Sequence, residues 1–159
     1  MNSQRTRPKK DLEDYILNGK LPPMDIDLEE AIVGGLMLER DTFHKVESII
    51  NAEDFYKDEH KEVFKSIKSL SDRNQEYDII NVVQDLRSRG LLDKLGGPFG
   101  VTQLTQRIAG THGIEGRAKK VKEFSIIRNV INICGSFAHK GFEPGVDAFE
   151  LVDQVLGEL

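Results

Sequence analysis

The chain has 159 residues, 38% hydrophobic and 31% charged, with no tryptophan and a single cysteine. That length suits one domain, or one domain with an appendage, and one cysteine excludes a disulfide scaffold and implies a reducing, cytoplasmic setting. The net charge of −5, from 22 basic and 27 acidic residues, disfavours a surface given over wholly to gripping nucleic acid, and no apolar run approaches the ~20 residues of a membrane span.

Residues 1–10 carry Arg5, Arg7, Lys9 and Lys10 and no acid, the pattern of a solvated arm. Asp11 to Lys20 has room for a short amphipathic turn around Tyr15, Ile16 and Leu17 before Pro22-Pro23 stops it. From there the periodicity is helical. Asp27-Leu28-Glu29-Glu30 reads as a capping box opening a helix with Leu28, Ile32, Gly35 and Leu36 on one face. The pair Gly34-Gly35 costs about 1 kcal/mol per glycine relative to alanine and marks a close backbone approach. A second helix is predicted from Asp41 with Phe43, Val46, Ile49 and Ile50 inward. A third, capped by Asp58, runs to Ser71 with His60, Val63, Phe64, Ile67 and Leu70 on one stripe. Asp78 caps a fourth, with Ile79, Val82, Val83 and Leu86 facing in and Gly90 ending it; the cap and the Leu86 spacing favour helix over a β-strand at Ile79–Val83. Pro98 opens a fifth after Gly96-Gly97, with Val101, Leu104 and Ile108 inward and Gly110 closing it.

From Ile114 to about Lys140 the chain reads as one long helix carrying two apolar seams, Phe124-Ile127-Ile131-Cys134-Ala138 and Ile126-Val130-Ile133-Phe137. Gly141 to Gly145 is a tight break. Asp147-Ala148-Phe149-Glu150 caps a return helix whose Phe149, Val152, Leu156 and Leu159 form a single seam. A two-helix hairpin satisfies one seam of the long helix. The second must be covered by the body of the domain or by another chain, and a projecting arm favours another chain.

Catalytic constellations are hard to find. The only Gly-Lys pair, Gly19-Lys20, lacks the glycine loop and the hydroxyl residue of a phosphate-binding turn, and Gly96–Gly100 lacks a lysine and a preceding strand. Glu53, Asp54, Asp58, Glu59 and His60 resemble a metal cluster, but His60 shares its stripe with apolar residues, which favours a packed histidine among solvated acids. Cys134 lies on an apolar seam, as a small buried hydrophobe does. Charge says more. Arg117, Lys119, Lys120, Lys122 and Arg128 are opposed only by Glu123, whereas Glu143–Leu159 holds five acids and no base. Two readings stay open: pairing across the hairpin, or a polarised surface for a partner or a nucleic-acid backbone.

Several segments in this order resemble one family. Glu29-Glu30-Ala31-Ile32-Val33-Gly34-Gly35-Leu36-Met37-Leu38 is similar to the opening helix of the N-terminal domain of bacterial DnaB-type replicative helicases. Phe55-Tyr56, His60 and Val63-Phe64 continue the pattern, as do Tyr77-Asp78, Leu86-Arg87-Ser88-Arg89-Gly90-Leu91-Leu92 and Leu95-Gly96-Gly97. The long helix with Val121 and Ile127-Arg128, and its acid-capped return, resemble that family's terminal hairpin. The likeness covers about Pro22 to Leu159.

The resemblance implies an all-α fold, a compact six-helix orthogonal bundle plus a C-terminal helical hairpin. The expected divisions are a basic leader (1–21), a helical body (22–112) and a dimerisation arm (113–159). It further implies self-association into dimers and, in a full helicase, a hexamer whose collar receives the C-terminal domain of primase and helicase-loading factors. Single-stranded DNA is then met only indirectly, through the ring. The expected subunit interface comprises Phe124, Ile126, Ile127, Val130, Ile131, Ile133, Phe137, Phe149, Val152 and Leu156. The basic set from Arg117 to Arg128 is a candidate partner or nucleic-acid surface. No catalytic residue, metal or cofactor is expected in this chain; ATP and magnesium belong to the ATPase domain that such helicases carry beyond a linker. The rival readings are the helicase-binding domain of a primase, a free-standing nucleic-acid-binding adaptor and, more remotely, a metal hydrolase around His60.

Overall fold

The computed structural model describes residues 20–106 and 112–158. Among the described residues there are seven α-helices and no strand: α1 (Ile26–Leu38), α2 (Phe43–Glu47), α3 (Asp58–Asp72), α4 (Ile79–Ser88), α5 (Gly97–Gln106), α6 (Ile114–Gly141) and α7 (Ala148–Glu158). The all-α expectation holds. Two short 3₁₀ turns, Ala52–Asp54 and Leu92–Leu95, were not read from the sequence. Leader residues 1–19, Ile108 and Gly110 at the end of the fifth helix, and Leu159 lie outside the described residues.

The contacts divide the chain into two compact units, residues 24–125 and residues 126–159 with the segment ending at Pro23. The sequence placed the change of character at 112/113; in the fold, Ile114–Ser125 of α6 belong with the body. In the body, α1 packs against α3, α4 and α5, and α3 against α4. α1 is buried on nearly every side, at Glu29, Ile32, Val33, Gly34, Gly35, Leu36 and Met37, rather than along a single stripe. The α3 stripe is as predicted, with His60, Val63, Phe64, Ile67 and Leu70 buried. Phe64 stacks at a tilt on Phe43 and Phe55, with ring centroids 5.5 and 5.2 Å apart. The first turns of α6 add Ile114, Ala118 and Val121 to the same core.

Helix ends follow local chemistry, with two corrections. α1 is capped by Asp25, whose Oδ1 accepts from the Leu28 N–H at 3.0 Å, and not by Asp27, which sits in the first turn. α3 has no side-chain cap: Lys57 holds the cap position and Asp58 pairs with Lys61 at 2.9 Å. Asp78 caps α4 as expected, accepting from the Asn81 N–H. α4 closes with Gly90 at φ +68° and the Leu91 N–H donating to the Leu86 carbonyl, a left-handed stop that glycine adopts without strain.

Candidate subunit interface

The α6–α7 hairpin is asymmetric in length. Twenty-eight residues of α6 span ~42 Å at ~1.5 Å per residue, against ~16 Å for the eleven of α7. The Asp147 carboxylate starts α7 by accepting from the N–H groups of Phe149 (2.8 Å) and Glu150 (3.0 Å). Glu150 does not complete a capping box; it accepts from Gln154 one turn on. α7 then returns along the distal end of α6, where Lys140 donates to the Gln154 side chain at 3.2 Å and its ammonium lies 4.7 Å from the Phe137 ring centroid.

The second predicted seam is covered unevenly. Phe137 is 6% exposed and Ile133 half-buried, whereas Ile126 and Val130, nearer the root, are 51% and 43% exposed. The first seam is largely open: Ile127, Cys134 and Ala138 are exposed, and Phe124 and Ile131 are half-buried. Cys134 is therefore not the buried hydrophobe that the pattern suggested.

α7 differs from expectation in the same direction. Its half-buried residues are Leu151 and Val155, while Phe149 (85% exposed), Val152 and Leu156 point away from its own hairpin. The Phe149-Val152-Leu156 stripe is not the hairpin's inner seam. Two apolar stripes share this helix, and the covered one is the pair that spacing did not single out. At the tip, Phe142 and Val146 are exposed as well.

Most of the basic candidates are engaged locally. Lys122 bonds both carboxylate oxygens of Asp54, at 2.9 and 3.0 Å. Lys120 pairs with Glu123 at 2.7 Å and lies over the Phe124 ring. Arg128 is buried and donates to the Pro23 carbonyl at 2.8 Å. Arg117 is half-buried, and Lys119 is exposed. Among the described residues none of these cations pairs with α7, and Glu143, Asp147, Glu150, Asp153 and Glu158 form no ion pair. Among the described residues, then, the pairing across the hairpin is not seen, and the acids of the return helix lie beside the exposed apolar stripe.

Two buried carboxylates in the body escaped the sequence reading. Glu29, 1% exposed, accepts from the backbone N–H groups of Tyr56 (2.7 Å) and Lys57 (3.2 Å) and from His60 Nδ1 (2.9 Å), so the ring carries its proton on that nitrogen. Asp54, expected to be solvated, is 4% exposed; besides Lys122 it accepts from Ser125 Oγ at 2.7 Å and from the Asn51 N–H at 2.8 Å. The Asn51 bond belongs to a local capping box, whereas Lys122 and Ser125 come from the far end of the body's sequence, which no local motif signals.

His60 also lines a cleft of about 310 Å³ with Glu30, Lys57, Glu59, Lys94 and Gln103, a lining of mixed sign. Among the described residues, no three His, Cys, Asp or Glu side chains converge as metal ligands. No helix of the described residues is long and apolar enough to cross a membrane. The Gly96–Gly100 run serves backbone geometry: Gly96 and Gly97 have φ of +79° and +70°, and a Cβ on Gly100 would lie 1.7 Å from the Leu95 carbonyl oxygen.

Known proteins share this architecture and sequence. The family model for the DnaB-like helicase N-terminal domain matches residues 21–123. The replicative DNA helicase DnaB of Rhodothermus marinus is 30% identical over 141 residues, 89% of this chain and 15% of that protein. The replicative DNA helicase DnaC of Bacillus subtilis is 29% identical over 87% of this chain and 31% of its own length. The crystal structure of the N-terminal domain of DnaB helicase from Mycobacterium tuberculosis superposes with a TM-score of 0.82 at 27% identity, covering 87% of this chain and 97% of that one. The chain thus spans less than a third of the helicases it matches and nearly all of the isolated domain. With the family model matching residues 21–123 and the fold agreeing over 87% of the chain, the chain belongs to the DnaB-like helicase N-terminal domain family.

Proposed function

We propose that this domain is the assembly module of a replicative DNA helicase. Copies pair through their hairpins, and the paired domains build the collar of a hexamer that receives the C-terminal domain of primase and helicase-loading factors in the cytoplasm. The observation that carries this reading is the apolar surface the hairpin leaves open: Ile126, Ile127 and Val130 on α6, and Phe149, Val152 and Leu156 on α7. Large apolar side chains left in solvent on one hairpin in this number point to an interaction site. The net charge of −5 suits a ring that lets single-stranded DNA pass without clamping it. Arg117, Lys119, Lys120, Lys122 and Arg128 have roles mainly within the subunit. ATP and magnesium act in the ATPase domain of such a helicase, and this domain contributes no catalytic group.

Sedimentation velocity across a concentration series tests the pairing. The chain is expected to associate, and Ile126→Asp or Val130→Asp to weaken association at least about tenfold, the effect of losing ~1.4 kcal/mol at the contact. Both side chains are already in solvent in the single chain, so the unfolding midpoint should not move. A strict monomer at every concentration overturns the reading.

A further inference from the structure

We infer that the cleft beside His60 binds a small zwitterionic amine, its cationic N–H group turned inward to Glu59 and His60 and its carboxylate outward to two lysines. One ring nitrogen stands unused. His60 is 1% exposed, its Nδ1–H is committed to Glu29, and Nε2 has no hydrogen-bond partner among the described residues. The neutral ring therefore offers a lone pair from the cleft wall. The carboxylate behind the ring makes that lone pair a stronger acceptor.

The charges around the cleft differ in burial by sign. Glu59, next to His60 on the first turn of α3, is half-buried, and its carboxylate forms no hydrogen bond or ion pair among the described residues. Glu30, also half-buried, is a second acid in the wall. Lys57 and Lys94 are exposed, and neither ammonium pairs with an acid among the described residues. Two acids and two lysines cancel, so a ligand with a positive end inside and a negative end outside meets both signs, as a bare anion or cation does not. No three His, Cys, Asp or Glu side chains converge among the described residues, which suits the acceptors to N–H donors rather than to a metal ion. The volume, about 310 Å³, is at the lower end of small-molecule sites. Free arginine has the matching chemistry. Its guanidinium presents N–H groups in a planar fork that can serve a carboxylate and an imidazole together, and its carboxylate is left for the lysines.

The test is a titration of the full chain with L-arginine, followed by nuclear magnetic resonance of the ring nitrogens. Low ionic strength preserves the charge contacts, and mildly alkaline pH keeps an imidazole neutral. The His60 Nε2 signal should move saturably with a Kd of about 1–10 mM, while Nδ1, tied to Glu29, stays. Citrulline, with an uncharged ureido group in place of the guanidinium, should bind at least about tenfold more weakly. Agmatine, which lacks the carboxylate, should bind about threefold more weakly. Glu59→Gln should weaken arginine about tenfold without moving the unfolding midpoint, because its carboxylate has no partner among the described residues to lose. Lys57→Gln combined with Lys94→Gln should erase the advantage of arginine over agmatine. No saturation by ~50 mM, citrulline binding as well as arginine, or unchanged affinity in Glu59→Gln overturns the inference. The hairpin takes no part in this site, so a chain that fails to self-associate leaves the outcome of the titration intact.

Discussion

The Glu29 carboxylate takes three donors while shut away from water, two from the backbone at Tyr56 and Lys57 and one from the His60 ring. Its removal takes the acceptor from the buried His60 ring and from two partly buried backbone donors. Glu29→Ala should lower stability by about 2–4 kcal/mol, from orphaning donors at about 1–3 kcal/mol each, read from urea unfolding; a loss below ~1 kcal/mol would mean that water satisfies them. The sequence revealed only half of this arrangement. His60 fell on the predicted apolar stripe, and its packing was legible from spacing alone. Glu29 lies 31 positions away on another helix, and no periodicity couples an acid to a ring at that distance. The choice of cap on α1 failed for a related reason: Asp25 and Asp27 are both good cap residues by type, and only the backbone turn at Asp25, with φ −144° and ψ 100°, decides between them.

At the level of elements, the glycines around α4 and α5 separate steric demand from backbone conformation. Gly100 has ordinary helical backbone, but a methyl group there meets the Leu95 carbonyl. Gly90 has open space around it and a positive φ. Gly100→Ala should cost about 1–3 kcal/mol through forced displacement of the Leu92–Leu95 turn. Gly90→Ala should cost about 1–2 kcal/mol through the left-handed conformation alone. Only Gly100→Ala should disturb the amide signals of residues 92–96, which distinguishes the two in a nuclear magnetic resonance spectrum. Helix number and order were legible because most segments carry an apolar run at helical spacing bounded by glycine, proline or a capping acid. The face of α7 was not, because it is apolar at Phe149, Val152 and Leu156 and again at Leu151 and Val155. Which stripe is covered depends on the approach of α6, and the sequence of α7 is silent on that.

For the molecule as a whole, assembly and folding draw on different parts of one seam. Ile126 and Val130 belong to the surface and Phe137 to the hairpin's interior. Phe137→Asp should therefore cost ~3 kcal/mol or more by burying an unpaired charge, with loss of α7 helicity by circular dichroism. Ile126→Asp should retain full helicity and lose only self-association. The sequence treated all four residues of the seam as equivalent; in the fold they are not, with Phe137 buried and Ile126 and Val130 in solvent. The buried carboxylate of α1 also reaches beyond its own contacts. Tyr56 and Lys57 precede the first turn of α3, where backbone hydrogens ordinarily trade with solvent quickly. Tied to an acceptor at the centre of the body, they should trade with deuterium only when the core itself opens. That makes the least regular stretch ahead of α3 as slow to exchange as the middle of α1.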